Sequence, residues 1–245
     1  MDEQGPERPR RPPALKKINF GLWYSRGLGY IKSGEYEKAL RALEFALVID
    51  PENSDAWYYK AFALGCLDRL TESLACYDKA ILCAPENIDL LCYKGFVLCD
   101  LGRYDEATKL FAKCLDSDPN HVLALVNIAE RHLVAGKIDL GLREARKALR
   151  LAVDTEFLLL SRWLIIAGFF LKGEKKKAEK ERLAMMKHLG SLSHPPKITD
   201  WSFECMADLI REKLDQASQR VLFSLIALLT GEDKGKRKNL IKLKS

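Results

Sequence analysis

The chain has 245 residues, of which 48% are hydrophobic and 30% are charged, and this is the composition of a folded globular protein. Its formal net charge of +6 comes from the ends: residues 1–18 carry five basic and three acidic groups, residues 231–245 carry six and two, and 29 of each sign lie between them. That balance excludes a body that binds polyanions by bulk charge, so an argument for nucleic-acid binding has to rest on the two ends or on a local patch.

The N-terminal residues lack the apolar run of a secretory signal. The apolar runs 157–171 and 221–229 have 15 and nine residues, fewer than the roughly 20 that a membrane-spanning helix needs. The seven cysteines are an odd number without a CxxC pair or a histidine at zinc-ligand spacing, so they indicate neither a disulfide framework nor a metal site. We therefore expect a cytoplasmic protein that has reduced cysteines, no cofactor, no metal and no contact with a membrane.

Three similar phrases recur along the chain at a fixed spacing. The first is ALVIDPENSDAWYY, and the prolines of the three phrases, Pro51, Pro85 and Pro119, lie 34 residues apart. A period of this size indicates stacked structural units, each of which buries its apolar face against the next. The predicted units are 20–53, 54–87, 88–121, 122–155 and a degenerate 156–190.

Each unit contains two apolar stripes of helical period that are separated by one turn residue. The turn residues are Gly34, Asp68, Gly102, Gly136 and Gly173. Glycine is typical of the left-handed position that ends a helix, and aspartate tolerates that position better than most residues. Each unit is therefore predicted to be a helix hairpin.

Residue size is also kept from unit to unit. The fourth positions are large and apolar (Trp23, Trp57, Leu91, Leu125), the eighth positions are small (Gly27, Ala61, Gly95, Ala129), and bulky residues recur in the second helix (Leu43, Tyr77, Phe111). Small residues facing bulky ones allow helices to approach closely, so we expect successive hairpins to stack.

This pattern resembles the tetratricopeptide repeat, strongly over residues 20–121 and more weakly over 122–153. The fourth unit has Ala145 instead of the bulky residue and Val153 instead of the proline. The fifth slips by about three residues and has Lys175 where an aromatic residue is usual. The resemblance implies an all-α protein, an α-solenoid in which helix hairpins form a right-handed superhelix over residues 19–190.

The regions outside the repeats are predicted from their composition. Residues 1–18 are expected to be a disordered, proline-rich basic tail, and residues 231–245 a second disordered basic tail. After a helix-breaking linker, helices are expected at about 201–214 and 216–230, and they would cap the solenoid within the segment 191–230. Two alternatives stay open for the last helix, which is apolar on nearly all sides: it lies in the protein's own groove, or it mediates self-association.

The resemblance also implies where a partner binds, because the family uses the concave face lined by the first helix of each repeat. The lining positions predicted for this chain are Tyr24, Leu28, Tyr58, Tyr59, Phe62, Cys92, Tyr93, Phe96, Asn127 and Glu130. This lining is mostly apolar and aromatic, which suits an amphipathic helix or an apolar peptide. Of the adjacent residues Tyr58 and Tyr59, the repeat register favours Tyr58 as the one that faces the ligand.

Two features bear on the charge of the ligand. Chaperone-binding members of the family line these positions with lysine, arginine and asparagine, and only Asn127 fits that type here. A basic ladder, Arg26, Lys60 and Lys94, recurs every 34 residues at the seventh position. These cations could attract an acidic ligand, or their stems could pack while their heads reach solvent or a neighbouring carboxylate.

No glycine-rich phosphate loop, GxSxG or HExxH motif occurs, so we predict that the chain is not an enzyme. The predicted function is that of a scaffold or adaptor, which binds a peptide or amphipathic helix of another protein. The alternatives are a nucleic-acid-associated, ribonucleoprotein adaptor that uses the basic tails, and a chaperone co-factor. The identity of the partner and the oligomeric state stay open.

Overall fold

A computed structural model describes residues 13–194, 198 and 203–231. The described part of the chain contains twelve α-helices and no strand, which confirms the predicted all-α fold. The chain divides into two compact units, Met1–Arg103 and Tyr104–Ser245, and the division falls inside the third predicted repeat.

Unit 1 contains the first five helices. They are α1 (Pro13–Lys32), α2 (Tyr36–Ile49), α3 (Ser54–Cys66), α4 (Leu70–Cys83) and α5 (Asp89–Asp100). The helices α1 and α2 pack as a hairpin, as do α3 and α4, while α3 packs on α2 and α5 packs on α4. Stacked hairpins of this kind are the packing that the repeat predicted.

Unit 2 contains the other seven helices. They are α6 (Tyr104–Ser117), α7 (Val122–Val134), α8 (Ile138–Leu151), α9 (Thr155–Leu171), α10 (Lys175–Ser191), α11 (Glu204–Lys213) and α12 (Gln216–Thr230). Here α7 packs on α6 and on α8, and α9 packs on α8 and on α10.

The predicted N-terminal tail needs a correction. The first helix begins at Pro13, inside the segment 1–18 that was expected to be disordered. A proline at the first helical position fits, because its fixed φ suits a helix and its missing N–H would have no partner there. The remaining parts of the two predicted tails, 1–12 and 232–245, lie outside the described residues.

The joint between the first two hairpins forms at Pro51. Helix α2 ends at Ile49, and Asn53 caps α3 by accepting a hydrogen bond from the amide of Ala56 at 2.9 Å. The indole of Trp57 donates to the carbonyl oxygen of Pro51 at 2.8 Å, which fixes the entry of the chain into α3.

The predicted turn residues all have left-handed backbone conformations. Gly34, Asp68, Gly102, Gly136 and Gly173 have φ between 59° and 76°, so the prediction is confirmed. At the first of these turns, the amide of Glu35 donates to the carbonyl of Tyr30 at 2.8 Å, and this bond satisfies an end carbonyl of α1. The aspartate turn makes the same bond, from Arg69 to Leu64 at 2.9 Å.

The small and bulky positions meet as the sequence predicted. A Cβ added to Gly27 would lie 2.8 Å from Cγ of Leu43, which is itself fully buried. Only a glycine therefore lets α1 approach α2 at this point without a shift of Leu43. Ala61 and Tyr77, the equivalent pair of the next hairpin, are also buried.

The fifth hairpin is irregular because its first helix is long. Gly173 follows Gly136 by 37 residues, whereas the earlier turn residues are 34 apart. Helix α9 has 17 residues and α7 has 13, so the extra residues lie within α9 and account for the predicted slip. The one basic residue of α9, Arg162, pairs with Glu181 of α10 at 3.0 Å.

The C-terminal helices form a pair that covers α9. Helix α12 packs on α9 and on α11, while α11 packs on both α7 and α9. Trp163 of α9 is fully buried, its ring centroid lies 5.0 Å from that of Phe203, and its indole donates to the carbonyl of Leu222 at 3.4 Å. The pair therefore lies on α9, the first helix of the last hairpin, and α11 extends onto α7. That the pair caps the open end of the solenoid stays a prediction.

Candidate partner-binding surface

The first helices of unit 1 bring their aromatic side chains together. Ring centroids lie 6.0 Å apart for Tyr24 and Tyr59, 4.8 Å for Tyr59 and Tyr58, and 5.0 Å for Tyr58 and Tyr93. We call these four residues the tyrosine cluster. The four rings lie on α1, α3 and α5 and are half-buried, so each contacts a neighbouring ring and is also partly exposed to solvent.

The hydroxyl groups of Tyr24, Tyr58 and Tyr93 stay protonated over the physiological pH range. Burial, with a smaller contribution from the charge of Asp55, raises the pKa of Tyr24 to about 12. Burial also raises the pKa of Tyr58 and of Tyr93, and the charge of Asp89 adds to the effect at Tyr93. The surface therefore offers apolar ring faces with neutral hydroxyls, which can donate or accept hydrogen bonds.

The two adjacent tyrosines of α3 have different surroundings. The ring of Tyr58 lies 6.2 Å from that of Tyr77, a residue of α4 that is almost fully buried. Tyr58 therefore also takes part in the packing between helices. Tyr59 contacts the rings of Tyr24 and Tyr58 on the first-helix side. A substitution of Tyr59 should therefore disturb helix packing less than one of Tyr58, and Tyr59 is the better position for a binding test.

Other aromatic residues extend this surface. Phe62 lies 6.4 Å from Tyr36 of α2, and Phe20 stacks on Tyr24 at 5.4 Å. Leu28 and Phe96 are half-buried on α1 and α5. Phe20, Tyr36 and Tyr77 are not among the site residues predicted from the sequence. The 34-residue register was the signal for them, since Phe20 begins the first repeat and Tyr77 stood out as a bulky residue.

Three predicted lining residues do not reach the surface. Cys92 is 0% exposed, Asn127 is 2% exposed and Glu130 is 5% exposed. The amide of Asn127 donates to the carbonyl of Leu123 in its own helix at 2.7 Å, so it does not offer the open polar group that a carboxylate clamp needs. All three side chains are therefore closed to solvent in the folded chain.

The basic ladder is engaged with neighbouring side chains. Lys60 pairs with Glu44 of α2 at 3.0 Å, and Lys94 pairs with Asp78 of α4 at 2.5 Å. The same ion pair thus recurs one repeat later. The guanidinium of Arg26 lies 5.1 Å from the ring centroid of Trp23. The two lysines thus match the expectation that the heads reach neighbouring carboxylates, and Arg26 lies instead over an aromatic ring.

Within 13–194, 198 and 203–231, no helix is long and apolar enough to cross a membrane. Over the same ranges, no group of three histidine, cysteine, aspartate or glutamate side chains is placed to hold a metal ion.

Known structures share this fold. A MamA fragment, residue 41 to the end, from Desulfovibrio magneticus RS-1 has a TM-score of 0.60 at 19% identity, and the match covers 72% of this chain and 98% of that one. For pilF of Pseudomonas aeruginosa the TM-score is 0.62 at 18% identity, with 89% and 95% covered. YrrB, described as a TPR protein with an unusual peptide-binding site, has a TM-score of 0.53 at 17% identity, with 73% and 90% covered. At these identities the likeness shows the fold alone.

Sequence comparison agrees with the fold. No curated protein matches the sequence. The tetratricopeptide repeat family matches residues 20–63 and, separately, residues 76–109. The first match runs from α1 into α3 and the second from α4 to the start of α6, and these segments of the chain are tetratricopeptide repeats.

Proposed function

We propose that this protein is a non-catalytic interaction scaffold of the cytoplasm, which holds an apolar segment or an amphipathic helix of a partner protein on the tyrosine cluster of unit 1. Support comes mainly from the ring contacts that join Tyr24, Tyr59, Tyr58 and Tyr93 across three successive first helices. Rings that already pack on one another lose little conformational freedom when a ligand covers them, so binding carries a small ordering cost.

The test removes two half-buried rings of α3. In the variant Tyr59→Ala/Phe62→Ala, we expect capture of the partner to fall while helicity and melting temperature stay close to those of the native chain. The matched control is Val48→Ala/Leu82→Ala, because these residues are 80% and 75% exposed on the second helices α2 and α4. Affinity purification with all three proteins, followed by direct titration of the captured partner, measures the difference.

Two outcomes would contradict this function. One is that the partner dissociates from the control variant and stays bound to the tyrosine variant. The other is that the tyrosine variant loses its helicity together with binding, because its rings would then serve the core and not a ligand.

The nucleic-acid alternative rests on the basic ends, and most of their residues lie outside the described part of the chain. Binding through lysine and arginine contacts to phosphates weakens steeply with salt. A titration with a generic single-stranded RNA at two salt concentrations, with and without residues 232–245, therefore separates this function from binding on the tyrosine cluster.

A further inference from the structure

Helix α11 departs from the stacking order of the repeats. Within each unit, the first helix of a pair packs on the second helix of the pair before it, as α3 does on α2, α5 on α4 and α9 on α8. Helix α11 packs instead on α7 and α9, which are both first helices. It therefore lies on the surface that corresponds, by repeat register, to the tyrosine-cluster surface of unit 1.

The segment 203–213 has the pattern of an amphipathic helical ligand. Its buried residues have the spacing i, i+3, i+4 and i+7 of a single helical face. They are Phe203, Met206, Ala207 and Ile210. Asp208 and Arg211 pair with each other at 2.7 Å, and their side chains are largely exposed, as are those of Glu212 and Lys213. The apolar stripe is thus the side of α11 that is covered.

Corresponding residues differ in burial between the two units. Asn127 and Glu130 of α7 are buried, whereas Tyr59 and Phe62, which stand two repeats earlier at the same register positions, are half-buried. At these positions the first helix of unit 2 is thus less exposed than that of unit 1.

We propose that the α7/α9 surface is a second helix-binding site, which α11 occupies until a partner supplies an amphipathic helix of the same apolar spacing. That helix would carry bulky apolar residues at its first, fourth and eighth positions and a small residue at its fifth. The small residue follows from Ala207, which is 1% exposed, because a larger side chain at a buried position overpacks the contact. This site is independent of the proposed function, because it uses other helices and other residues.

Because α11 belongs to the same chain as the α7/α9 surface, a partner helix must compete with it for that surface. A segment linked to its own site has an effective concentration that reaches the millimolar range for short flexible connections. A partner helix therefore binds the native chain only in the fraction of molecules in which α11 has left the surface, and its apparent affinity falls by that fraction. Weakening the apolar stripe of α11 should restore the affinity.

The experiment uses the full-length chain and a labelled peptide of residues 203–214 with Cys205→Ser. Fluorescence anisotropy compares the native protein, the variant Met206→Asp/Ile210→Asp, and the control Asp208→Asn/Glu212→Gln, whose changes fall on the exposed side of the same helix. We expect the first variant to bind the peptide at least about tenfold more tightly than the native protein and the control. The same peptide with Ala207→Leu should lose this binding.

A variant that keeps the helicity of the native chain and binds the peptide no more tightly would overturn the proposal, as would equal binding of the Ala207→Leu peptide. If the variant unfolds, hydrogen exchange of the native protein decides. Amides of α11 that exchange faster than those of α7 and α9 support a helix that leaves its surface, and α11 exchange only at the rate of global unfolding refutes it.

Discussion

The turn at Asp68 allows the backbone argument to be tested at one residue. Asp68 ends the first helix of its hairpin with φ of 59°, in a position where the other four hairpins have glycine. A left-handed conformation costs an L-residue about 1–2 kcal/mol, and less for aspartate. Glycine in turn loses about 0.4–1 kcal/mol through the greater freedom of the unfolded chain. We therefore expect Asp68→Gly to raise the free energy of unfolding by about 0.5 kcal/mol.

The reciprocal change provides the control. Gly102 has φ of 72° in the next hairpin, and an added Cβ would meet no atom within 4 Å, so Gly102→Asp tests the backbone alone. It should lower the free energy of unfolding by about 0.5 kcal/mol. Urea unfolding followed by circular dichroism measures both changes. A loss of about 1 kcal/mol or more in Asp68→Gly would refute the reasoning, because the aspartate side chain would then stabilise the turn by more than its backbone strain costs.

Four further substitutions test packing and burial. Gly29→Ala should stabilise α1 by about 0.5–1 kcal/mol, because a Cβ there meets nothing within 4 Å. Gly141→Ala should cost about 1–3 kcal/mol, because its Cβ would lie 2.7 Å from Cγ of Leu133; thermal unfolding distinguishes the two. Burial raises the pKa of Tyr24 to about 12, so its neutral form contributes stability that is complete below pH 10 and is lost towards pH 12. The absorbance titration of Tyr24→Phe should therefore lack one phenol that ionises late. Trp163→Phe should cost about 1–2 kcal/mol through its lost hydrogen bond and volume, and calorimetry measures this.

The candidate site could be predicted from the sequence only in part. Repeat register placed Tyr24, Tyr58, Tyr59 and Tyr93 on corresponding faces of successive helices, and the structure brings their rings into contact. Register could not show that Cys92 is covered, because a small side chain at a lining position can turn towards either neighbouring helix. It also could not show that Lys60 pairs with Glu44, since that contact depends on how closely α2 and α3 approach.

The sequence by itself determined the hairpins of this protein. Proline at the joints, left-handed residues at the turns and the alternation of small and bulky positions act over a few residues, so their effects can be predicted from spacing alone. Tertiary structure alone decided where the C-terminal helices lie. The apolar stripe at Met206, Ala207 and Ile210 would suit any apolar surface of matching shape, and only the folded chain selects α7 and α9 to cover it.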